Sequence, residues 1–278
     1  MSASKPLDNF SLVRSRNVEE VRDALARVYA RPALVPRKGI EGFSATVNVC
    51  QLKDTALAYG AFGAVRLEFP ATDFFLQILP IRGAGELGHG SGPVALAPGV
   101  GAIVTADSPF KANFSSDYEQ LVLRIKVEAL ARKLTALTGT AINKPLRLDV
   151  SKNSGYAAAH MLRGYLPLLA RTLTTAVPPF PDWWVVQTEQ LLMTLFLCGY
   201  RHNYSHLLER QVPIAAPPQV RRAEEYIEAN QQRAVTLEEL AEVTGVSVFS
   251  LFRSFRKHRG YSPLQFLAQV RSRHGGKR

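Results

Sequence analysis

The uneven distribution of glycine is the feature that most constrains the fold of this chain. Eleven of its 19 glycines fall between Gly39 and Gly101, where they separate short apolar or alternating runs. Short runs with glycine or proline turns about every 8–12 residues are typical of a β-barrel or a β-sandwich. Residues 36–150 are therefore predicted to form one β domain. The runs behind this prediction are 43–49, 65–69, 74–79, 101–104 and 120–125.

The N-terminal segment has a different pattern. Within residues 1–35, Asn17 stands at capping-box spacing from Glu20, and apolar residues follow at helical intervals from Val18. An N-cap residue followed by such a periodic run predicts a helix. We therefore expect residues 1–35 to form a helical arm.

Two longer helices are predicted after the β domain. Residues 156–176 and 182–200 are apolar at helical spacing, and a proline-rich turn separates them, with Asp182 as the second N-cap. Two such helices across a short turn predict an antiparallel hairpin within residues 151–212. The apolar outer face of the hairpin needs a cover, for which the β domain and a second copy of the chain are the two candidates.

Residues 213–278 have the pattern of a separate all-α domain. Thr236 stands three residues before a glutamate, which is capping-box spacing, and Gly245 ends the helix that Thr236 begins. Ser247 then caps another helix after a turn of only two residues. Two short helices joined by a tight glycine turn predict a helix-turn-helix.

The charge of the chain favours an anionic partner. Lys and Arg number 34 against 23 Asp and Glu, which gives a formal net charge of +11. From Val246 to Arg278 there is no acidic residue, whereas eight residues are Lys or Arg. Such an excess makes nucleic acid a more probable partner than it is for a neutral chain.

Several classes of protein are excluded by composition. Two cysteines, Cys50 and Cys198, are too few for a disulfide framework or a cysteine-rich zinc site. The first eight residues lack the apolar core of a secretory signal. The most apolar stretch, residues 183–198, is too short and too polar to span a bilayer. We therefore expect a cytoplasmic protein with no membrane partner.

Residues 236–267 resemble the first helix-turn-helix of AraC/XylS-type transcription regulators. The elements Leu-Ala, Gly-Val-Ser, Leu-Phe-Arg-x-Phe and Gly-x-Ser-Pro follow one another in the family's order and spacing. The resemblance extends over residues 219–271. The N-terminal half is similar to the cupin-like effector domain of a subgroup of these regulators, and this similarity depends on residues 68–75, 117–125 and 201–208.

The resemblance implies a fold and a function. The expected fold class is α+β, with a cupin-like β-barrel at 36–150 and a helical hairpin at 151–212, followed by an all-α helix-turn-helix domain at 213–278. The implied function is sequence-specific transcription regulation in response to a small-molecule effector. The implied partners are double-stranded DNA, the effector, a second copy of the chain and RNA polymerase, with no cofactor and no enzyme activity.

The resemblance also implies which residues contact DNA. In the family, exposed residues in the first two turns of the recognition helix contact base edges in the major groove. An arginine there can bind a guanine through two hydrogen bonds, and an aromatic ring can contact a thymine methyl group. In this sequence the base-contacting positions are Phe249, Ser250, Phe252 and Arg253. Three further residues are expected to contact phosphates, namely Ser247, Arg256 and Lys257.

Core packing is the alternative for the aromatic residues. Phe249 or Phe252 would then be buried, although Leu251 and Phe255 already occupy the inward face of the recognition helix. In the barrel, four aromatic residues are candidates to line an effector pocket or, alternatively, to fill the core. These residues are Tyr59, Phe62, Phe74 and Phe75.

The chain departs from the family at its C-terminal end. The family's DNA-binding domain has two helix-turn-helix units joined by a long helix, whereas only 59 residues follow Gln219 here. The joining helix starts at Ser262, but its apolar pattern ends after Arg271, so we expect the second unit to be missing. A single helix-turn-helix predicts weak and salt-dependent DNA binding, unless dimerisation supplies a second helix-turn-helix. The alternative is a dimerising or ligand-binding protein that does not read DNA.

Three further motifs are set aside. Residues 83–88 spell GxGxxG, but the residues after His89 cannot open a helix, so we interpret the motif as a barrel turn. His202 and His206 have the spacing of a helical metal-binding pair, but no third ligand is evident. His89 is the single histidine of the barrel. No motif of nucleophilic catalysis is present, so the sequence does not predict an enzyme. Because the histidines lack further ligands, the sequence does not predict a metal site either.

Overall fold

The computed structural model describes residues 4–37, 42–88, 92–149, 156–209, 217–233 and 235–275. The chain divides into two compact units, Met1–Leu208 and Glu209–Arg278. The first unit combines β-sheets with helices, and the second is all helical. The predicted α+β fold class is therefore confirmed.

The β-strands of the N-terminal unit form two antiparallel sheets. Its described residues contain β1 (Ser11–Ser15), β2 (Ala33–Pro36), β3 (Ala45–Gln51), β4 (Thr55–Ala61), β5 (Val65–Phe69), β6 (Phe74–Arg82), β7 (Gly85–Gly88), β8 (Pro93–Leu96), β9 (Ala102–Val104), β10 (Phe110–Phe114) and β11 (Glu119–Lys126). The six-stranded sheet has the order β1-β3-β4-β11-β6-β9, and the five-stranded sheet has the order β2-β5-β10-β7-β8. All neighbouring strands pair in antiparallel fashion.

The six-stranded sheet is buried on both faces. In β6, Phe74, Leu76 and Ile78 belong to the core between the two sheets, whereas Phe75 and Leu79 belong to a core on the opposite face. Successive side chains of a strand point to opposite faces of its sheet. A strand that is covered on both faces therefore has a continuous apolar sequence instead of an alternating one.

Helices cover the outer face of the six-stranded sheet. They are α2 (Val127–Thr138), α3 (Ala157–Thr175), α4 (Asp182–Gly199) and the short α5 (Ser205–Glu209). The end of α4 meets the start of α3, where a Cβ atom on Gly199 would lie 2.7 Å from the backbone nitrogen of Ala159. Only glycine allows this close approach. The prediction of Asp182 as N-cap is wrong: Asp182 is the first residue of α4, and Pro181 is the N-cap of the helix, without a side-chain hydrogen bond.

Residues 1–35, predicted to be a helical arm, also supply an edge strand to each sheet. The helix α1 (Val18–Val28) is present, and the Asn17 side chain accepts hydrogen bonds from the next backbone N–H groups. However, β1 pairs with β3, and β2 pairs with β5. Both edge strands are short, and only Leu34 among their residues is buried, so neither has an apolar alternation long enough to be recognised as a strand.

The C-terminal unit is a cluster of short helices. They are α6 (Pro218–Ala229), α7 (Leu237–Thr244), α8 (Val248–Arg259) and α9 (Pro263–Gly275). Their shared core includes Ile227, Leu240, Leu251, Phe255 and Phe266, all of them buried. The helix α9 continues beyond Arg271, where the apolar sequence pattern ends.

Two further features agree with the composition of the chain. Both cysteines are free thiols; Cys50 is buried, which raises the pKa of its thiol to about 11, whereas Cys198 is exposed. No helix in the described part of the chain is long and apolar enough to cross a bilayer.

Candidate functional site

The pair α7–α8 has the geometry predicted for a helix-turn-helix. The Thr236 side chain accepts a hydrogen bond from the backbone N–H of Glu239, and Gly245 ends α7 with φ of 71°. This left-handed conformation favours glycine because it has no Cβ atom. Ser247 follows after Val246 and accepts a hydrogen bond from the backbone N–H of Ser250. The predicted caps of both helices are therefore confirmed.

The two faces of α8 differ sharply in burial. Leu251 and Phe255 are fully buried, whereas Phe249 is 76% exposed and Phe252 is 39% exposed. Positions three and four apart share a face of a helix. Core packing, the alternative for the two aromatic residues, therefore does not apply to Phe249. The other residues predicted to contact DNA are exposed as well, namely Ser247, Ser250, Arg253, Arg256 and Lys257.

The exposed face of α8 is cationic. The described residues form no ion pair with Arg253, Arg256 or Lys257. The Arg256 guanidinium lies 5.6 Å from the ring centroid of Phe252, within the range of a cation–π contact. This face thus presents three positive charges and two aromatic rings to solvent.

Two of the basic residues near the C-terminus have structural roles that the sequence analysis did not foresee. Arg259 donates hydrogen bonds of 2.6 and 2.8 Å to the two carboxylate oxygens of Glu224 on α6, and this pairing raises the pKa of Arg259. Arg271 donates to the backbone oxygens of Gln231 and Arg233. Both side chains connect elements of the C-terminal unit, so their charges serve contacts within the fold.

The N-terminal unit contains an apolar cavity between its two sheets. The cavity measures about 40 Å³, and its lining includes Tyr59 and Phe62, two of the four aromatic residues proposed for an effector pocket. Phe75 instead faces the helices, and Phe74 packs in the core between the sheets. Gln120 also lines the cavity. The alternating run 120–125 could have indicated that Gln120 faces the core. The residue type alone did not distinguish it from a glutamine on the surface.

The motifs that were set aside have structural explanations. Gly83 has a φ of 68° and precedes β7, so residues 83–88 form a turn and a strand; His89 lies outside the described residues. His202 is buried and precedes α5, so it does not share a helical face with His206. Within the described residues, no group of three His, Cys, Asp or Glu side chains is placed to hold a metal ion.

Comparison with known families identifies the chain. Residues 21–197, more than half of the chain, match the AraC-binding-like domain. The chain belongs to this family. It is therefore an AraC-type regulator with a cupin-like effector domain, as the sequence resemblance implied.

Two relatives share most of this AraC-type chain. The probable thc operon regulatory protein of Rhodococcus erythropolis is 27% identical over 242 residues, covering 81% of this chain and 71% of the relative. The XylDLEGF operon transcriptional activator of Pseudomonas putida is 25% identical over 221 residues, covering 76% of this chain. The match spans 63% of that activator's length. The crystal structure of the AraC-like transcriptional activator CuxR is 17% identical, with a TM-score of 0.49, and covers 96% of this chain and 94% of its own.

Proposed function

We propose that this chain is a sequence-specific transcription regulator that inserts α8 into the major groove of DNA. The exposed, cationic and aromatic face of α8, opposite a fully buried face, is the observation that carries the proposal. Two relatives that are named as regulators of operons support it. The role is non-enzymatic and belongs in the cytoplasm, where the DNA lies.

The residues of α8 have distinct roles in this proposal. Arg253 binds a guanine through two hydrogen bonds, and Phe249 contacts a thymine methyl group. Ser250 and Phe252 complete the surface that faces the bases. The side chains that contact phosphates are Ser247, Arg256 and Lys257, and they set the orientation of the helix without reading sequence.

The N-terminal unit has the second role in the proposal. A small-molecule effector binds in the cavity between the sheets and favours one state of the regulator over another. An effector shifts such an equilibrium only if it binds the two states with different affinities. Dimerisation through the hairpin α3–α4 and a contact with RNA polymerase complete the proposed mechanism.

The DNA contact is tested by titrating the full chain against the duplex upstream of its own gene and against a scrambled duplex of equal length. We expect a preference for the upstream duplex. We also expect affinity to fall by about 50-fold between about 50 and 200 mM salt, because the three exposed cations of α8 would release about three counterions from the DNA. Arg253→Ala is expected to weaken binding to the upstream duplex by about tenfold, since a bidentate contact to guanine contributes about 1–3 kcal/mol.

The matched control is Arg171→Ala, which removes an exposed arginine from α3. This variant should bind both duplexes like the unmodified chain. Equal affinity of the unmodified chain for the two duplexes, or an unchanged affinity of Arg253→Ala, would contradict the proposed reading of DNA by α8.

The proposed dimer contact depends on exposed apolar side chains of the hairpin. Leu168 on α3 is 54% exposed, and Leu191 on α4 is 42% exposed. Replacing both with glutamate is expected to convert a dimer into a monomer, as measured by analytical ultracentrifugation, because buried charges lack partners. Val100→Glu, at an exposed position of the N-terminal unit outside α3 and α4, is the control and should leave the mass of the assembly unchanged. An unchanged mass of the double variant would show that the dimer forms elsewhere.

A further inference from the structure

Small side chains create the cavity between the sheets. On β4, Ala58 and Gly60 lie opposite Val122 and Gln120 of the neighbouring strand β11. Ala112, on β10 of the other sheet, also lines the cavity. Larger residues at these positions would fill the space, so the cavity follows directly from the sequence of β4 and β10.

An aromatic ring closes one side of the cavity. A Cβ atom on Gly60 would lie 2.8 Å from Cε2 of Phe62, so the absence of a side chain at Gly60 leaves room for the Phe62 ring beside the strand. The Phe62 ring stacks on Phe114 at 6.0 Å, and Phe114 stacks on Tyr118 at 4.2 Å. Phe62 has no polar group, so ring contacts and apolar packing alone hold its side chain in place.

The cavity has an uncharged lining. None of the described residues that form it is Asp, Glu, Lys, Arg or His. Tyr118 donates a hydrogen bond to Oε1 of Gln120 at 3.0 Å, and the described residues supply no acceptor for the Gln120 amide nitrogen. Burial raises the pKa of Tyr118, and it raises the pKa of Tyr29 to about 12, so both hydroxyls remain neutral near pH 7. The lining thus combines apolar side chains with neutral polar groups, among them the Gln120 amide and the Tyr29 hydroxyl.

Arg124 is a cation near enough to the lining residue Tyr29 to act on the pKa of its hydroxyl. Its guanidinium lies 5.6 Å from the ring centroid of Phe74 and donates to the backbone oxygen of Val28 and to Gln51. Arg124 is not part of the lining, although its Nε has no hydrogen-bond partner. An effector with a carboxylate that reaches Nε of Arg124 is therefore the alternative class of ligand. An ionised group held in the cavity itself would lie among apolar rings without a partner, which is costly.

We propose that the effector of this regulator is a small, neutral and mainly apolar compound with one hydrogen-bond acceptor, which the amide of Gln120 binds. This inference rests on the proposed function, because it takes the cavity as the effector site. The volume of about 40 Å³ is below the roughly 150 Å³ that holds a benzene ring. A ligand with one substituted ring therefore enters by displacing Phe62.

The ligand class is tested with three probes of similar shape, measured by calorimetry on the full chain. Acetophenone has a ring and a neutral acceptor, ethylbenzene lacks the acceptor, and benzoate carries a charge. We expect acetophenone to bind about fivefold more tightly than ethylbenzene, the effect of one hydrogen bond. Benzoate is expected not to bind at the same concentrations. Gln120→Leu should remove the preference for acetophenone while retaining the binding of ethylbenzene.

Two variants locate the site. Ala112→Leu fills the cavity and is expected to abolish binding of every probe, whereas Ala95→Leu, at an exposed position of β8, should bind like the unmodified chain. Phe62→Ala enlarges the cavity and is expected to bind ethylbenzene several-fold more tightly. This last variant tests the site even if Ala112→Leu fails to fold.

The outcomes separate the ligand class from the proposed function. Tightest binding of benzoate, no binding of any probe, or an unchanged affinity in both Ala112→Leu and Phe62→Ala would overturn the ligand class. If the chain then still prefers its upstream DNA, regulation of transcription stands. A chain that binds acetophenone through Gln120 but shows no DNA preference would support the ligand class and refute the DNA-reading function.

Discussion

Replacing Phe255 with alanine is expected to unfold the C-terminal unit, whereas replacing Phe249 with alanine is expected to leave it folded. Both residues are phenylalanines of α8, but Phe255 is fully buried and Phe249 is 76% exposed. Truncation of a buried phenylalanine costs about 3–5 kcal/mol. A helical unit of this size rarely has more than about 3–5 kcal/mol of total stability. Exposed substitutions usually change stability by less than about 0.5 kcal/mol.

The two variants are compared by circular dichroism and by DNA titration. Phe255→Ala should lose helical signal and all specific DNA binding. Phe249→Ala should keep its helical signal and bind the upstream duplex about fivefold more weakly, through the loss of an apolar contact to a base. Both tryptophans, Trp183 and Trp184, lie on α4, so their fluorescence reports that the N-terminal unit stays folded in either variant. A Phe249→Ala variant as unstable as Phe255→Ala would show that the ring has a structural role.

Features that depend on local geometry could be predicted from the sequence. The caps Thr236 and Ser247 each bind a backbone N–H three residues ahead, and Gly245 adopts the left-handed conformation that ends α7. These interactions lie within single turns, so residue type and spacing are sufficient to predict them. The exposed side of α8 follows in the same way, because Leu251 and Phe255 define the buried side.

Features that depend on distant residues could not be predicted. Arg259 is one of the eight basic residues after Val246, but its partner, Glu224, lies 35 positions earlier, so the sequence pattern does not reveal the pairing. The inward position of Gln120 depends on the second sheet, which the alternation of one strand does not reveal. The strands β1 and β2 are recognisable as strands only by their pairing with β3 and β5.

A buried carboxyl group within the apolar stretch 183–198 connects α4 to the six-stranded sheet. Oε1 of Glu189 accepts hydrogen bonds from the backbone N–H groups of Asp54 and Thr55, at 2.7 and 2.8 Å, and from the Thr55 hydroxyl at 3.0 Å. Glu189 is buried, as is Thr55. One oxygen atom therefore satisfies three donors in the turn between β3 and β4.

Glu189→Ala is consequently expected to lower the free energy of unfolding of the N-terminal unit by about 3–5 kcal/mol. Each buried donor that loses its acceptor costs about 1–3 kcal/mol, and costs at neighbouring groups are not fully additive. Glu189→Gln retains one carbonyl oxygen as acceptor and should lose less. Gln187→Ala, at an exposed position of the same helix, is the control. Denaturant unfolding followed by tryptophan fluorescence measures the N-terminal unit alone, because both tryptophans of the chain lie on α4. Equal stability of Glu189→Ala and Gln187→Ala would mean that water replaces the carboxyl oxygen at the turn and that packing alone holds α4 to the sheet.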